Sequence, residues 1–420
     1  MAANPLESIK SWSRQTSFFT NNQTLGQLDS KVLDQRNSIY TELERSQAKH
    51  EPGSWPPSTV PLQAYKPVPP LTFGGTLKVY SQLAKSRLTF LNVLAAMSGV
   101  ALSPLPASVP VLLATATGTL LCSASANTFN QLSEVPFDAQ MARTRNRPII
   151  RRAISPLHAA CFGVTTGIVG PVILLAYTNP VTAALGFGNI ILYSGIYTAL
   201  KRTTIVNTWV GAVVGAVPPL IGWTACGGSL LPSSTTPLSL YLPSFVSSSQ
   251  ITTYIASLPS WASELVTTTP ILDNPLAPLA LFLFHFSWQF PHFNAFSHYV
   301  RSSYAQAGYA MLAVFDPKKN ALVSLRHAAL LILISSVLVP LSGLAEWTFA
   351  LTSLVPNAFF LHYSYKFWKY GGDKIARSLF AHSLWYLPVM LGLMMYHKRG
   401  TDWLSWLGLR EAPVTGEGVQ

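Results

Sequence analysis

The stretch from Leu88 to Ser133 decides the fold of this chain. It reads LTFLNVLAAMSGVALSPLPASVPVLLATATGTLLCSASANTFNQLS and contains no Asp, Glu, Lys or Arg. A membrane-spanning helix needs about 20 mostly apolar residues, so the stretch is long enough for two such helices. Proline interrupts the interior of a helix, and Pro104, Pro106 and Pro110 divide the stretch near its middle. The sequence therefore predicts a pair of membrane spans here.

Charge-free segments recur along the rest of the chain. They are Ala153–Leu200, Thr203–Ser263, Asn274–Val300, His327–Ala345, Trp347–Tyr365 and Ser378–His397. The first of them is again long enough for a pair, divided at Asn179-Pro180, and each of the others holds one helix. These segments bring the predicted total to nine transmembrane helices.

Composition and charge narrow the class of protein. Of the 420 residues, 49% are hydrophobic and only 10% are charged, whereas a soluble globular protein carries about 25% charged residues. The formal net charge of +12 indicates an anionic partner. Because the basic residues cluster in the links between helices, they favour membrane topology and an anionic substrate, with no nucleic acid. Three widely separated cysteines exclude a disulfide scaffold and a cysteine zinc site.

The links between the predicted helices alternate in charge. Those after helices 1, 3, 5 and 7 contain no Lys or Arg. All the interior basic residues lie in the links after helices 2, 4, 6 and 8: Arg143, Arg145, Arg147, Arg151, Arg152, Lys201, Arg202, Arg301, Lys318, Lys319, Arg326, Lys366, Lys369, Lys374 and Arg377. Positive loops stay on the inner side. The pattern therefore supports nine helices, with the N-terminus inside and the C-terminus outside.

The flanking segments differ from the helical region at 79–400. Residues 1–78 are rich in charge and proline, which predicts a flexible inner extension. Its first twenty residues resemble an organellar presequence through Lys10 and Arg14, although Glu7 opposes this interpretation. The polar segment at about 228–270 is predicted to be an outer loop with little regular structure, and 401–420 forms a C-terminal tail.

A polar motif lies at the end of the second predicted helix. Asn130, Glu134 and Asp138 are spaced four apart and share one helical face, unless Pro136 kinks the chain before Asp138. Ionisable groups at membrane depth are costly and usually functional. Two carboxylates and an amide supply the oxygen ligands that Mg²⁺ prefers, with phosphates of a substrate completing its shell. The motif predicts a metal–phosphate site.

Arginines follow this motif in the run Arg143-Thr-Arg145-Asn-Arg147-Pro148. Guanidinium groups bind phosphates bidentately, so the run strengthens the prediction of a phosphate site. The alternative is a solvated helix end with ordinary inside-positive arginines.

Three blocks in order carry a family resemblance. The first is NxxxExxxD with MARTRNRP after it, the second runs from Tyr197 through Lys201, Arg202 and Asn207 to GAVPPLIGW, and the third is WQFPHFNA at 288–295. Over residues 80–400 the chain resembles the protohaem IX farnesyltransferases, or haem O synthases, of the UbiA-type intramembrane prenyltransferase superfamily. The resemblance implies an all-α integral membrane bundle of nine helices with a central cavity open to the inner face.

The resemblance also implies an activity. The family transfers the farnesyl group of farnesyl diphosphate to a vinyl group of protohaem IX with Mg²⁺, and water supplies a hydroxyl to give haem O, in haem A biosynthesis for cytochrome c oxidase. Haem is a substrate rather than a cofactor. The extension at 1–78 favours the mitochondrial inner membrane, with the N-terminus and the site facing the matrix. The sequence leaves open whether the protein forms a complex with the next haem-modifying enzyme.

Residues of this chain that match the family blocks take roles by resemblance. Asn130, Glu134 and Asp138 would bind the metal, and further residues would bind the diphosphate: Arg143, Arg147, Lys201, Arg202 and Asn207. Candidates for the haem side are His292, Asn294, Arg301, Tyr304, His327 and His382. Histidine ligates haem iron or holds a propionate, and the alternative is a packed intramembrane histidine.

The register of the third block stays open. His285, Gln289 and His292 share one helical face, while Asn294, His298 and Arg301 fall nearly opposite unless Pro291 resets the helix.

One position departs from the family pattern. Family members commonly carry an acid immediately before the tyrosine of the third block, but here Ser303 precedes Tyr304. Either one carboxylate cluster suffices, or Asp316 substitutes, or the chain is impaired, and we favour the first. Two rival functions are prenyl transfer to a quinone precursor and transport by a polytopic carrier.

Overall fold

The computed structural model describes residues 72–243, 259, 265–267 and 273–399. The expected presequence, nearly all of the extension 1–78, much of the outer loop 228–270 and the tail 401–420 lie outside the described residues.

The described part of the chain is almost entirely helical. Its helices are α1 (Phe73–Leu83), α2 (Ser86–Leu102), α3 (Val109–Ser133), α4 (Val135–Asp138), α5 (Pro156–Tyr177), α6 (Pro180–Thr203), α7 (Asn207–Ala225), α8 (Leu276–Tyr299), α9 (Arg301–Gln306), α10 (Leu312–Phe315), α11 (Pro317–Leu341), α12 (Thr348–Thr352), α13 (Leu354–Tyr370) and α14 (Asp373–Tyr396). Helix α6 contains a π-helical turn at Leu192–Tyr197, and α11 contains another at Ile334–Leu338. Two short strands, β1 (Leu240–Tyr241) and β2 (Val266–Thr267), pair in parallel.

Six of these helices are long and apolar enough to cross a membrane: α3, α5, α6, α7, α11 and α14. Their outward faces are apolar, as Val164, Ile168 and Leu175 of α5 illustrate with 49%, 59% and 53% exposure. Such a surface is stable against lipid and costly in water. The protein is therefore a multi-pass membrane protein. Helices α2 and α13 have 17 residues each, and α8 has 24 residues with several polar side chains.

The helix breaks fall where the prolines predict them. Helices α2 and α3 are separated by the segment with Pro104 and Pro106, and α3 begins with a proline in its first turn. Asn179 caps α6, because its Oδ1 accepts a hydrogen bond of 2.9 Å from the backbone N–H of Thr182. Pro180 then starts the helix, where its missing N–H costs nothing.

Two details differ from the sequence expectation. Helix α1 crosses the expected boundary at residue 78, capped by Thr72, whose Oγ1 accepts from the N–H of Gly75. The outer loop carries the two paired strands, which its Ser/Thr/Pro-rich composition did not suggest.

Helices that follow one another in sequence pack side by side, and six of them enclose a cavity of about 760 Å³. The enclosing helices are α2, α3, α6, α7, α8 and α14. Apolar and aromatic side chains form most of its wall, including Leu91, Ile221 and Phe293. The fold thus provides a chamber for a large, mainly apolar ligand.

Helices α2 and α7 touch through their backbones at two glycines. A Cβ atom at Gly222 would overlap the carbonyl oxygen of Ala96, and one at Gly99 would overlap that of Pro219. Small residues permit such close approach, and van der Waals packing drives helix association inside lipid. This contact fixes the wall of the cavity that α2 contributes.

Gly222→Ala is expected to destabilise the protein, because the added methyl group must push two backbones apart. Overpacking of this kind costs about 1–3 kcal/mol. The measurement is the midpoint of thermal unfolding in detergent. The matched control is Gly188→Ala in α6, where nothing lies within 4 Å of the new Cβ. Equal midpoints for the two variants would contradict the proposed contact.

Candidate active site

The site begins where α3 ends. Pro136 lacks the N–H that would continue the helix, so α3 stops at Ser133 and the short helix α4 follows. Even so, Asn130, Glu134 and Asp138 are all buried, with exposed fractions of 0%, 2% and 1%. The kink expected from Pro136 is present, and the three oxygen-bearing side chains remain at one end of α3.

Two basic residues form ion pairs with the two carboxylates. Lys201 of α6 places its Nζ 2.7 Å from Glu134 Oε1. Arg147 forms an ion pair with Asp138, and its Nη1 also lies 3.7 Å from Glu134 Oε2. Buried charges need such partners, because their desolvation is otherwise uncompensated. The structure thus brings together Lys201 and Arg147, both predicted phosphate ligands, with Glu134 and Asp138, two of the three predicted metal ligands.

Lys85 belongs to the same cluster, and the sequence analysis missed it. Its Nζ donates hydrogen bonds to Asn130 Oδ1 at 2.5 Å and to the Tyr193 hydroxyl at 3.3 Å. Its backbone adopts the left-handed region, with φ of 51°, directly before α2. One signal was available: a lysine precedes the first predicted span, on the same side of the membrane as Asn130.

The π-helical turn of α6, at Leu192–Tyr197, lies beside this cluster. Thr198 Oγ1 accepts a hydrogen bond of 3.0 Å from Asn130 Nδ2 and donates one of 2.8 Å to the Tyr193 carbonyl. Such turns often occur at functional sites. Tyr197, in the same turn, lies beneath the Lys201 ammonium, with 4.6 Å between Nζ and the ring centroid. The turn therefore orients groups that contact both lysines.

The basic residues control the ionisation of the carboxylates. Burial alone raises the pKa of Glu134, but the nearby charges of Lys201, Lys85 and Arg147 outweigh it and lower the pKa below its usual range. For Asp138 burial prevails over Arg147, and the pKa is raised. Burial, together with Arg147 and Lys201, lowers the pKa of Lys85 well below that of a free lysine. Glu134 is therefore the more firmly ionised acid.

The donor atoms suit a divalent cation shared with phosphate. Asp138 Oδ1 is buried and has no hydrogen-bond partner within the described residues. No group of three or more His, Cys, Asp and Glu side chains that could hold a metal occurs in the described ranges. Two carboxylates and one amide leave coordination positions for a ligand's oxygens, as Mg²⁺ sites commonly do.

Three predicted phosphate ligands lie outside this cluster. Arg143 is exposed, with its guanidinium carbon 5.8 Å from the centroid of the Phe296 ring. Arg202 donates to the carbonyl of Ser133, where it caps the C-terminus of α3.

Asn207 does not contact the carboxylates. Its amide nitrogen donates to the carbonyl oxygens of Thr204 and Ala310, at 2.5 and 2.7 Å. Asn207 therefore ties two loops together, a role that the sequence spacing does not reveal.

Two of the haem-side candidates lie close to the cavity or the cluster. His292 lines the cavity, as does His285 on the same face of α8. Tyr304 is buried 5.9 Å from the ring of Tyr309, measured between centroids. Tyr309 in turn lies 5.9 Å from the Lys201 ammonium.

Two other candidates on or after α8 face away from the cavity. Helix α8 runs unbroken through Pro291, so the register is not reset. Asn294 exchanges amide-to-carbonyl hydrogen bonds with Asn320 of α11, at 3.1 and 3.0 Å. Arg301 pairs with Asp373 at 2.5 Å and donates to the carbonyl of His298. Both residues contact other helices, and neither lines the cavity. Their role on the haem side stays a prediction.

His327 and His382 also lie outside the cavity wall. His327 stacks on Phe290, with centroids 3.7 Å apart, and His382 packs on Tyr363 at 3.6 Å. The proposed substitute acid is likewise engaged, because Asp316 Oδ1 caps α11 by accepting from the N–H of Lys319. The structure therefore does not bring Asp316 to the cluster.

The cluster and the cavity share a boundary. Tyr193 and Tyr197 line the cavity, while the same two side chains contact Lys85 and Lys201. An ionic site thus adjoins an apolar chamber. This arrangement suits a ligand with an anionic head and a long hydrocarbon tail.

Comparison with known proteins agrees with this architecture. The sequence profile of the UbiA prenyltransferase family matches residues 92–385. The chain is 41% identical over 342 residues to the mitochondrial protoheme IX farnesyltransferase of Yarrowia lipolytica, covering 77% of this chain and 63% of the relative. For the human protein of that name the identity is 39% over 321 residues, with 76% and 62% covered. The chain thus spans less than two thirds of the length of these relatives.

Solved structures support the fold. A structure from a study of digeranylgeranylglyceryl phosphate synthase superposes with a TM-score of 0.57 at 13% identity, covering 76% of this chain and 98% of that one. Since the family profile matches well over half of the sequence, and the all-helical fold agrees with it, the chain belongs to the UbiA prenyltransferase family.

Proposed function

We propose that this protein transfers the farnesyl group of farnesyl diphosphate to a vinyl group of protohaem IX, which gives haem O for haem A biosynthesis. The proposal rests on one observation: the ionic cluster around Glu134 lies next to the apolar cavity. The similarity to relatives named protoheme IX farnesyltransferase supports this choice of substrates.

The reaction requires a carbon–oxygen bond to break and a carbon–carbon bond to form. The allylic carbon of the farnesyl group leaves its diphosphate and joins the terminal carbon of the vinyl group. Water then adds its oxygen to the adjacent carbon and releases a proton. Pyrophosphate leaves with the electron pair of the broken bond, so the site must stabilise developing negative charge.

The basic residues provide that stabilisation. In the structure Lys201, Arg147 and Lys85 are paired with Glu134, Asp138 and Asn130. These basic side chains would donate hydrogen bonds to the oxygens of a bound diphosphate, and its negative charge would favour the protonated form of Lys85. Fixed charges in a site that excludes water act strongly on charge that develops in the transition state.

Asn130, Glu134 and Asp138 would hold Mg²⁺ together with the diphosphate. When bound, the metal neutralises the diphosphate and makes it a better leaving group. Tyr193 and Tyr197 separate this polar end from the apolar wall. They would keep the farnesyl chain in the cavity and limit the access of water to the allylic carbon.

We extend the proposal to the topology. Helices α2, α8 and α13 would span the membrane with the six longer helices, giving nine spans. The charged links then place the N-terminus and the ionic cluster on the inner side. Since the relatives are named as mitochondrial, we assign the protein to the mitochondrial inner membrane with the cluster facing the matrix. The quinone-precursor and transporter alternatives have no specific support from the cavity or from the named relatives.

The direct test uses the purified full-length protein in lipid nanodiscs. Given farnesyl diphosphate, protohaem IX and Mg²⁺, it is expected to form haem O, detected by mass spectrometry. Chelation by EDTA should abolish the product and added Mg²⁺ should restore it. Farnesylation of an aromatic quinone precursor with no haem O would refute the proposal.

Glu134→Gln is expected to lower kcat by about 10²–10³, the range for losing one preorganised electrostatic group. The variant keeps the shape of the side chain while removing its charge. The matched control is Glu346→Gln, because Glu346 is exposed and pairs with Arg399 away from the cluster. Wild-type turnover in Glu134→Gln would exclude this carboxylate from the reaction.

Lys85→Met is expected to weaken binding of farnesyl diphosphate and slow turnover by roughly tenfold to a hundredfold, since a charged hydrogen bond is removed. Lys78→Met is the control, because Lys78 is exposed on α1. Inorganic pyrophosphate binding, measured by calorimetry with Mg²⁺ present, should fall in parallel. A variant with unchanged pyrophosphate affinity would show that Lys85 has only a structural role.

A further inference from the structure

The imidazole of His292 is held at the cavity wall by three contacts. Its ring packs against Trp288 and Phe380, with centroid distances of 4.7 and 4.9 Å. Its Nδ1 is 2.7 Å from Ser383 Oγ of α14. Its other nitrogen, Nε2, has no hydrogen-bond partner among the described residues.

The hydrogen bonds fix the tautomer of His292. Ser383 Oγ lies 2.5 Å from the carbonyl oxygen of Phe380, and two oxygens this close need a proton between them. The carbonyl has no proton, so the hydroxyl donates there. A hydroxyl has one hydrogen, and therefore Ser383 can only accept from His292. Nδ1 carries the proton, and Nε2 keeps a free lone pair.

The other described histidines are less suited to bind a ligand in the cavity. His285 is the second that lines it, and its Nδ1 donates to the carbonyl of Leu281, but its Nε2 is fully buried. His292 is only half-buried. His327 and His382 do not line the cavity.

A neutral imidazole with one nitrogen held by a hydrogen bond and the other free is the usual form of a histidine metal ligand. We propose that Nε2 of His292 is an axial ligand to the iron of protohaem when that substrate is bound, and that Ser383 is the positioning residue that fixes its tautomer. This inference rests on the proposed function. It would set the porphyrin, and so its vinyl groups, at a defined place in the cavity.

The test is the absorption spectrum of ferric protohaem bound to the full-length protein in phosphatidylcholine nanodiscs. Wild-type protein is expected to give the Soret band of imidazole-ligated haem. His292→Gly should shift this band and weaken protohaem binding by about tenfold or more, and added imidazole should restore the band. Ser383→Ala should weaken binding by about tenfold, as loss of a partner to a ligand does. His362→Gly is the matched control, on the exposed face of α13.

A second measurement separates this inference from the proposed function. Pyrophosphate binding with Mg²⁺ should be unchanged in His292→Gly, which shows that the variant is folded. If wild-type protein farnesylates protohaem and His292→Gly retains the wild-type Soret band, the ligand assignment is wrong and the function stands. If wild-type protein neither binds nor farnesylates protohaem, the proposed function is wrong, and the ligand assignment with it.

Discussion

The ion pairs of Glu134 and Asp138 with Lys201 and Arg147 hold the rest of the site in place. They join the end of α3, the C-terminal end of α6 and the segment that leads into α5. Removal of one partner from a buried pair typically costs about 3–5 kcal/mol, because the other charge stays unpaired. The same contacts that would bind an anionic ligand therefore also fix three parts of the fold relative to each other.

The cavity is apolar, in contrast to the ionic cluster beside it. Its largely aromatic and aliphatic wall is formed by six helices and includes no Asp, Glu, Lys or Arg of the described residues. Tyr193 and Tyr197 of this wall contact Lys85 and Lys201 of the ionic cluster. A substrate with a charged head and a long apolar tail can enter in only one orientation without burying an unpaired charge. In the proposed function this arrangement would select both the class of substrate and its direction, before any specific contact with a second substrate.

Much of this organisation could be predicted from the sequence, because its signals are local. The absence of charge shows where helices form, and Asn179-Pro180 and the prolines before α3 mark where they are interrupted. The motif of Asn130, Glu134 and Asp138 was recognisable by its spacing. The cluster around it could be predicted only in part, since Arg147 and Lys201 contact it whereas Arg143 and Asn207 do not.

The remaining features depend on packing between helices. The sequence does not show whether an asparagine side chain binds a ligand or another helix. It therefore could not show that Asn294 pairs with Asn320 rather than facing the cavity. The sequence could not show that His327 and His382 lie outside the cavity wall, because the direction in which each side chain of a helix points is set by the neighbouring helices. Lys85 was missed because its contact with Asn130, which lies 45 residues away in the sequence, depends on how α2 packs against α3.

Lys85 illustrates a compromise in this fold. A side chain with a Cβ atom in the left-handed region costs about 1–2 kcal/mol, and glycine would relieve this strain. Glycine, however, would leave Asn130 and Tyr193 without their ammonium partner. At position 85 the backbone conformation therefore favours glycine, whereas the contacts with Asn130 and Tyr193 require lysine. Selection for thermal stability alone would favour glycine, and selection for anion binding would favour lysine.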